Sequence, residues 1–183
     1  GVLWIGTHIG LCKFDRDTET FIWYRHKPDD PGSLSHNRVT SICKDRLGLL
    51  WIGTSQGLNK FVPHQGSGQF VHYKNNPDDP DSLSYNGVWT IYEDRKGRLW
   101  IGTEGDGLNK FDRKTDRFIR YQNDPDDPSS LSHNVVWSLY EDRSGVLWIG
   151  TYTGGLNKFD REKERFFQYK NVPDNPNSLS HNV

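Results

Sequence analysis

The sequence predicts an all-β fold, a β-propeller of four-stranded antiparallel blades on a repeat of about 48 residues, with an incomplete first blade. Two series of spacings and one absence carry that prediction. The motif Leu-Trp-Ile-Gly-Thr recurs four times, and its Trp4, Trp51, Trp100 and Trp148 lie 47, 49 and 48 residues apart. Ser-Leu-Ser triplets begin at Ser33, Ser82, Ser130 and Ser178, at intervals of 49, 48 and 48. No window sustains a period of 3.6 residues, so helix is not expected.

The third copy shows how one unit is encoded. Val88-Trp89-Thr90-Ile91-Tyr92-Glu93 is rich in β-branched and aromatic residues and reads as a first strand. Asp94-Arg95-Lys96-Gly97 turns the chain back, with the glycine free to adopt positive φ. Arg98 to Thr103 is a second strand whose Leu99-Trp100-Ile101 centre implies burial on both faces. A turn at Glu104-Gly105-Asp106-Gly107 leads to Leu108-Asn109-Lys110-Phe111, which alternates with period two. Asp112 to Asp116 turns again, and Arg117 to Tyr121 alternates as a fourth strand. Such a blade cannot bury both faces alone and has to stack on its neighbours, and the repeated Trp is the natural filler of that contact.

This phase gives a partial blade over 1–25, complete blades over 38–75, 87–123 and 135–171, and a linker over 172–183. The first blade lacks its first strand. Propellers avoid free strand edges by closing, so the remaining blades are expected from the same or another chain. The absence of methionine also makes the span read as a piece of a longer propeller; two chains forming one eight-bladed ring is the alternative.

A net charge of −1 and a pI near 6.7 argue against a nucleic-acid or membrane-surface binder. No 18-residue apolar run, signal segment or lipidation motif is present, so no direct membrane contact is expected in this span. Cys12 stands where the other copies have Asn59, Asn109 and Asn157, and Cys43 where they have Tyr92 and Tyr140. Unmatched by other cysteines, they read as two isolated buried thiols. Nucleophile elbow, P-loop, H-E-x-x-H and dinucleotide fingerprint are all missing, so neither an enzyme nor a cofactor or metal is expected.

Turns between second and third strands share one rim of the propeller with the blade-to-blade linkers. The linker segments 26–37, 75–86, 123–134 and 171–182 carry nine aspartates and one lysine, Lys27, which makes that rim acidic. Asp between prolines forms Asx-turns, and turn-making is the preferred account of these residues. His36, His133 and His181 share one linker position with Tyr85 and read as packing residues, too widely spaced to bind one metal. The asparagines after them, Asn37, Asn86, Asn134 and Asn182, are expected to hold backbone groups before each first strand.

Recognition is sought where the copies differ. Segments 88–112 and 136–160 are identical at 18 of 25 positions, and three of the seven differences fall in the turn between second and third strands. That turn contributes His8, Gln56, Glu104, Asp106, Tyr152 and Thr153 as ligand-binding candidates. The first-strand starts add Arg38, Trp89 and Trp137. The two tryptophans suit stacking on sugar rings, or equally packing at the blade interface beside the central channel. Glu104 and Asp106 break the repeat and are the carboxylates an acid–base reaction would use; with His8 they define an enzyme alternative.

The string Val-Trp-Ser-Leu-Tyr-Glu-Asp-Arg-Ser-Gly-Val-Leu-Trp-Ile-Gly-Thr-Tyr-Thr-Gly-Gly-Leu-Asn-Lys-Phe-Asp at 136–160 closely resembles the two-component regulator propeller repeat. Asp-Asp-Pro-Ser-Ser-Leu-Ser-His-Asn at 126–134 extends the likeness, which covers nearly the whole chain. The resemblance implies a periplasmic or extracellular sensor segment of a bacterial hybrid histidine kinase. In such proteins several blades precede an immunoglobulin-like module, a membrane helix and the kinase, and many respond to oligosaccharides. The implied function is non-catalytic sensing of a small molecule or oligosaccharide. A propeller lyase or glycoside hydrolase, or an oligomerising interaction scaffold, is the alternative. The second copy departs from the pattern at Val62 to Gly68, and its hairpin is expected to differ.

Overall fold

The computed structural model describes residues 1–64 and 67–183. Its strands form four antiparallel meanders, and the described residues include no helix. The first sheet has three strands, β1 (Val2–Thr7), β2 (Gly10–Asp15) and β3 (Thr20–Tyr24). The second is β4 (Val39–Lys44), β5 (Leu50–Thr54), β6 (Gly57–His64) and β7 (Ser67–Tyr73). The third is β8 (Val88–Glu93), β9 (Leu99–Thr103), β10 (Leu108–Asp112) and β11 (Arg117–Tyr121). The fourth is β12 (Val136–Glu141), β13 (Leu147–Thr151), β14 (Gly155–Asp160) and β15 (Arg165–Tyr169). Adjacent sheets meet chiefly through their first strands, β4 on β8 and β8 on β12, which are therefore the inner ones.

One aromatic cluster, built three times, holds the sheets face to face. Trp51 lies 5.7 Å from Tyr73 of its own sheet and 5.1 Å, edge-on, from Phe111 of the next. Trp100 repeats this with Tyr121 and Phe159, and Trp4 with Tyr24 and Phe61. Leu34, Leu83 and Leu131, the centres of the Ser-Leu-Ser triplets, are wholly buried in the same clusters. The glycine of Leu-Trp-Ile-Gly-Thr explains itself here. A Cβ on Gly102 would stand 2.6 Å from the Val136 side chain of the next sheet, and one on Gly53 would stand 2.7 Å from Val88.

Polar ties reinforce the stack. The Trp51 indole donates to Asp45 at 2.9 Å, and Arg113 of the next sheet reaches the same carboxylate at 2.8 Å. Trp100, Asp94 and Arg161 repeat the arrangement at 3.0 and 3.1 Å. On the other flank, Lys110 and Tyr121 both donate to Glu164 of the following sheet, at 2.8 and 2.9 Å. Burial pushes the Asp45 carboxyl up, but the bonds from Trp51, Arg113 and the Leu49 amide outweigh it and hold the group below its ordinary value.

Three expectations are corrected. As filler of the contact between blades the repeated Trp is expected to be buried in every copy, but only Trp51 and Trp100 are, whereas Trp4 and Trp148 are half-buried. Trp4 sits on β1, an edge strand of its sheet, and Trp148 meets Tyr169 of its own sheet at 5.8 Å but no aromatic ring of another sheet among the described residues. Cys43 is half-buried instead of buried, while Cys12 is buried and both thiols are free. The linker histidines act through polar contacts: His36 and His133 accept the amides of Arg38 and Val135 at 3.1 and 3.0 Å. The hairpin in the second copy does differ. Its strands pair on through Val62–Gln69, Pro63–Gly68 and His64–Ser67, and Gln65 and Gly66 lie outside the described residues.

Candidate functional site

Each inner strand opens with a β-bulge. Register slips between Val39 and Ser41, between Val88 and Thr90, and between Val136 and Ser138. A bulge inserts one residue and re-aims its side chain; here the inserted residues are Thr40, Trp89 and Trp137. The variable turn of the same blade is fastened to this point. The amides of Ser55, Glu104 and Tyr152 donate to the carbonyls of Arg38, Gly87 and Val135 at 3.3, 2.8 and 3.0 Å. The variable turn and the start of the first strand therefore converge on one rim.

Asparagines fix the frame around it. Asn37, Asn86 and Asn134 accept the amides of His26, Asn75 and Asn123 at 2.8, 2.8 and 2.7 Å, as expected of that position. Buried Asn59, Asn109 and Asn157 accept the amides of Ser35, Ser84 and Ser132, which pins each Ser-Leu-Ser segment to a third strand. Cys12 fills that slot in the first sheet, and burial pushes its thiol up.

Two groupings result. Arg38, Gln56 and Glu104 line an open cleft of about 390 Å³ together with Ser55, Asn75, Tyr85 and Asn86. It spans two adjacent blades and brings a guanidinium, a carboxylate and several amide and hydroxyl groups to one concavity. Beside it the Arg38 guanidinium lies 5.3 Å over the Trp89 ring, whose buried Nε1 has no hydrogen-bond partner among the described residues. The second grouping is aromatic. Trp137 and Tyr152 lie 4.9 Å apart and are 46% and 43% exposed, with His133 at 6.2 Å from Tyr152.

His8, Asp106 and Thr153 join neither grouping. His8 is exposed on the turn between β1 and β2, Asp106 is half-buried, and Thr153 is exposed at a φ of 63°. Sequence reasoning passed over Tyr85, 42% exposed in the cleft, because its sharing a position with three histidines suggested packing. Its singularity in the repeat was the available signal. The acidic linker residues stand apart from the cleft. Asp30, Asp79 and Asp127 accept amides two residues on, the Asx-turn geometry, and Arg117 pairs with Asp79 and Asp81 at 3.4 and 2.8 Å. Linker carbonyls also bind the outer strand of the following sheet, Asp81 accepting from Phe118 and Ser129 from Phe166, which draws these aspartates to the perimeter. Among the described residues no three His, Cys, Asp or Glu side chains gather where a metal ion could be held.

The two-component regulator propeller family model matches residues 33–56, 82–105 and 130–153. Each match runs from a Ser-Leu-Ser segment through the inner strand into the variable turn. A histidine kinase from Formosa agariphila is 38% identical over 59 residues, which cover 32% of this chain and 4% of that protein. Extracellular domains assigned to two hybrid two-component systems of B. thetaiotaomicron superpose with TM-scores of 0.78 and 0.71. Both are 28% identical over 92% of this chain, which spans only 23% of each. Virginiamycin B lyase from Staphylococcus aureus, 15% identical at a TM-score of 0.63 over 95% of this chain and 53% of the lyase, shares the propeller fold. Three segments of the chain, leading into its second, third and fourth sheets, are thus similar to the two-component regulator propeller repeat.

Proposed function

We propose that this chain is part of the extracytoplasmic sensor of a hybrid two-component system and that it binds a carbohydrate without turning it over. The observation that carries the reading is the Trp137–Tyr152 pair, two aromatic faces left nearly half exposed, one at the bulge that opens β12 and one on the turn fastened to it. Two exposed rings side by side form a small apolar patch of the kind found in ligand-binding grooves. Sugars present an apolar C–H face and a hydroxyl edge. The aromatic pair suits the face, and the cleft of Arg38, Gln56, Tyr85 and Glu104 suits the hydroxyls. Likeness to extracellular sensor domains supports the compartment, and likeness of fold to a lyase does not extend to chemistry.

Calorimetry against a panel of neutral and acidic oligosaccharides tests the reading, with product formation followed in the same samples. Binding without turnover is expected, weakened by Trp137→Ala and by Glu104→Gln. Product formation that is lost on changing Glu104 would replace sensing with catalysis, and silence across the panel would favour an interaction scaffold.

A further inference from the structure

The cleft between the second and third sheets is assembled from positions at which the copies disagree, and several of those residues touch one another. Tyr85 stands where the other linkers carry His36, His133 and His181. Gly87 stands where the second and fourth copies have Arg38 and Val135, and Glu104 where they have Ser55 and Tyr152. The glycine makes the room. A Cβ on Gly87 would stand 2.5 Å from the Glu104 carboxylate and 3.3 Å from the Tyr85 ring, and one on Gly105 would stand 2.9 Å from the same ring. Tyr85, Gly87, Glu104 and Gly105 therefore depart from the repeat together and fit together. Arg38 of the preceding blade, another departure, lines the same cleft.

The polar ends of this cluster are free. Elsewhere guanidinium groups are used up within the fold: Arg46, Arg113 and Arg161 pair with Glu93, Asp45 and Asp94 of an adjacent sheet at 3.4, 2.8 and 3.1 Å. Among the described residues the half-buried Arg38 guanidinium makes no ion pair or hydrogen bond, and it rests over the Trp89 ring. That contact covers one face of the planar cation and leaves its in-plane N–H donors available. The Glu104 carboxylate, the Gln56 side-chain amide and the Tyr85 hydroxyl are likewise without a partner among the described residues. Arg38 and Glu104 thus share one concavity, of a volume within the usual range of small-molecule sites, without pairing with each other.

We propose that this cleft selects acidic sugars: the Arg38 guanidinium takes the carboxylate of a uronate residue, and the Glu104 carboxylate accepts hydrogen bonds from the ring hydroxyls. The inference rests on the carbohydrate reading above and narrows it to one class of ligand. A carboxylate presents two oxygens in the plane and at the spacing of the guanidinium fork, and charge-assisted bonds of that kind are about twice as strong as neutral ones. A neutral sugar offers Arg38 only hydroxyl oxygens. An amino sugar satisfies Glu104 and leaves the cation unmatched. A hydroxylated acid meets both groups, and Gln56 on the second blade and Tyr85 on the third add further donors and acceptors for its hydroxyls.

Titration calorimetry of the 183-residue chain with trigalacturonate and trimannuronate, their methyl esters, and neutral galactotriose and mannotriose is the test. At least one uronate is expected to bind about tenfold more tightly than its ester, which keeps the rings and hydroxyls but not the charge. Arg38→Gln is expected to bring acid and ester to equal affinity, and Arg38→Lys, which keeps the charge without the fork, to retain part of the preference. Gly87→Val installs the residue that the fourth copy carries at that position, so the fold accommodates it, and it crowds the Glu104 carboxylate. It is expected to weaken acid and ester alike, by roughly fivefold, with their ratio kept. Equal affinity of acid and ester in the unaltered chain, a preference that survives Arg38→Gln, or binding of neither uronate overturns the proposal. Neutral trisaccharides that bind, lose affinity on Trp137→Ala and ignore Arg38→Gln would then leave the sensing reading standing without it.

Discussion

At Gly102 a single hydrogen in place of a methyl group decides whether two sheets can meet. Ala there would press its Cβ against Val136 and Thr90, both at 2.6 Å. Overpacking of this kind costs about 1–3 kcal/mol, so Gly102→Ala is expected to lower the unfolding free energy by that amount, read as a lower denaturation midpoint at unchanged slope. Arg113 is the charged counterpart. It neutralises Asp45, whose side chain is fully buried. Replacing Arg113 with Met keeps the aliphatic stem and strands the carboxylate, at about 3 kcal/mol. Trp137→Ala should do the opposite of both. Exposed and outside the aromatic clusters between sheets, it is expected to leave stability within about 0.5 kcal/mol. Its loss should instead weaken any sugar that binds by roughly fivefold or more.

Between elements, the ties that hold turn to strand and sheet to sheet are charged, and they titrate. Hydrogen bonds from Ser144, Trp148 and Val146 hold the Asp142 carboxyl far below its ordinary value of 3.8. Those from Lys110 and Tyr121 hold Glu164 below 4.5. Groups with depressed folded-state values stabilise the fold above their unfolded values and stop doing so as pH falls through the folded ones. Stability should therefore be level from neutrality to about pH 5 and decline below about pH 4.5. Glu164→Gln should flatten the upper part of that decline, as urea titrations between pH 3 and 7 would show. Lys110 behaves with the reverse sign. Burial pushes it down, but Glu164 and Tyr121 raise it above 10.5, so its contribution is complete below that pH and fades only as the folded value is passed.

The whole molecule is a one-dimensional stack in which stability resides in contacts between neighbours. Its second and third sheets are covered on both sides, and the first and fourth on one. Hydrogen exchange should accordingly be slowest in β5 and β9, whose residues are all buried, and faster in β1 and β13. A uniform protection pattern would contradict that ordering.

The repeat alone determined a great deal: strand count, meander order, the three-stranded first sheet and the role of Trp as interface filler all follow from period and alternation. These are local, or set by a neighbour one period away, so every copy repeats the evidence for them. The separation of Trp89 from Trp137 came only with the tertiary structure. Both follow a valine at the opening of an inner strand, yet one lies under Arg38 of the preceding blade and the other beside Tyr152 of its own. Likewise only the folded stack could place the acidic linkers on the perimeter, away from the cleft they were expected to border. Bulges and linker crossings depend on which carbonyl meets which amide across two sheets, and alternation within one strand carries no record of that.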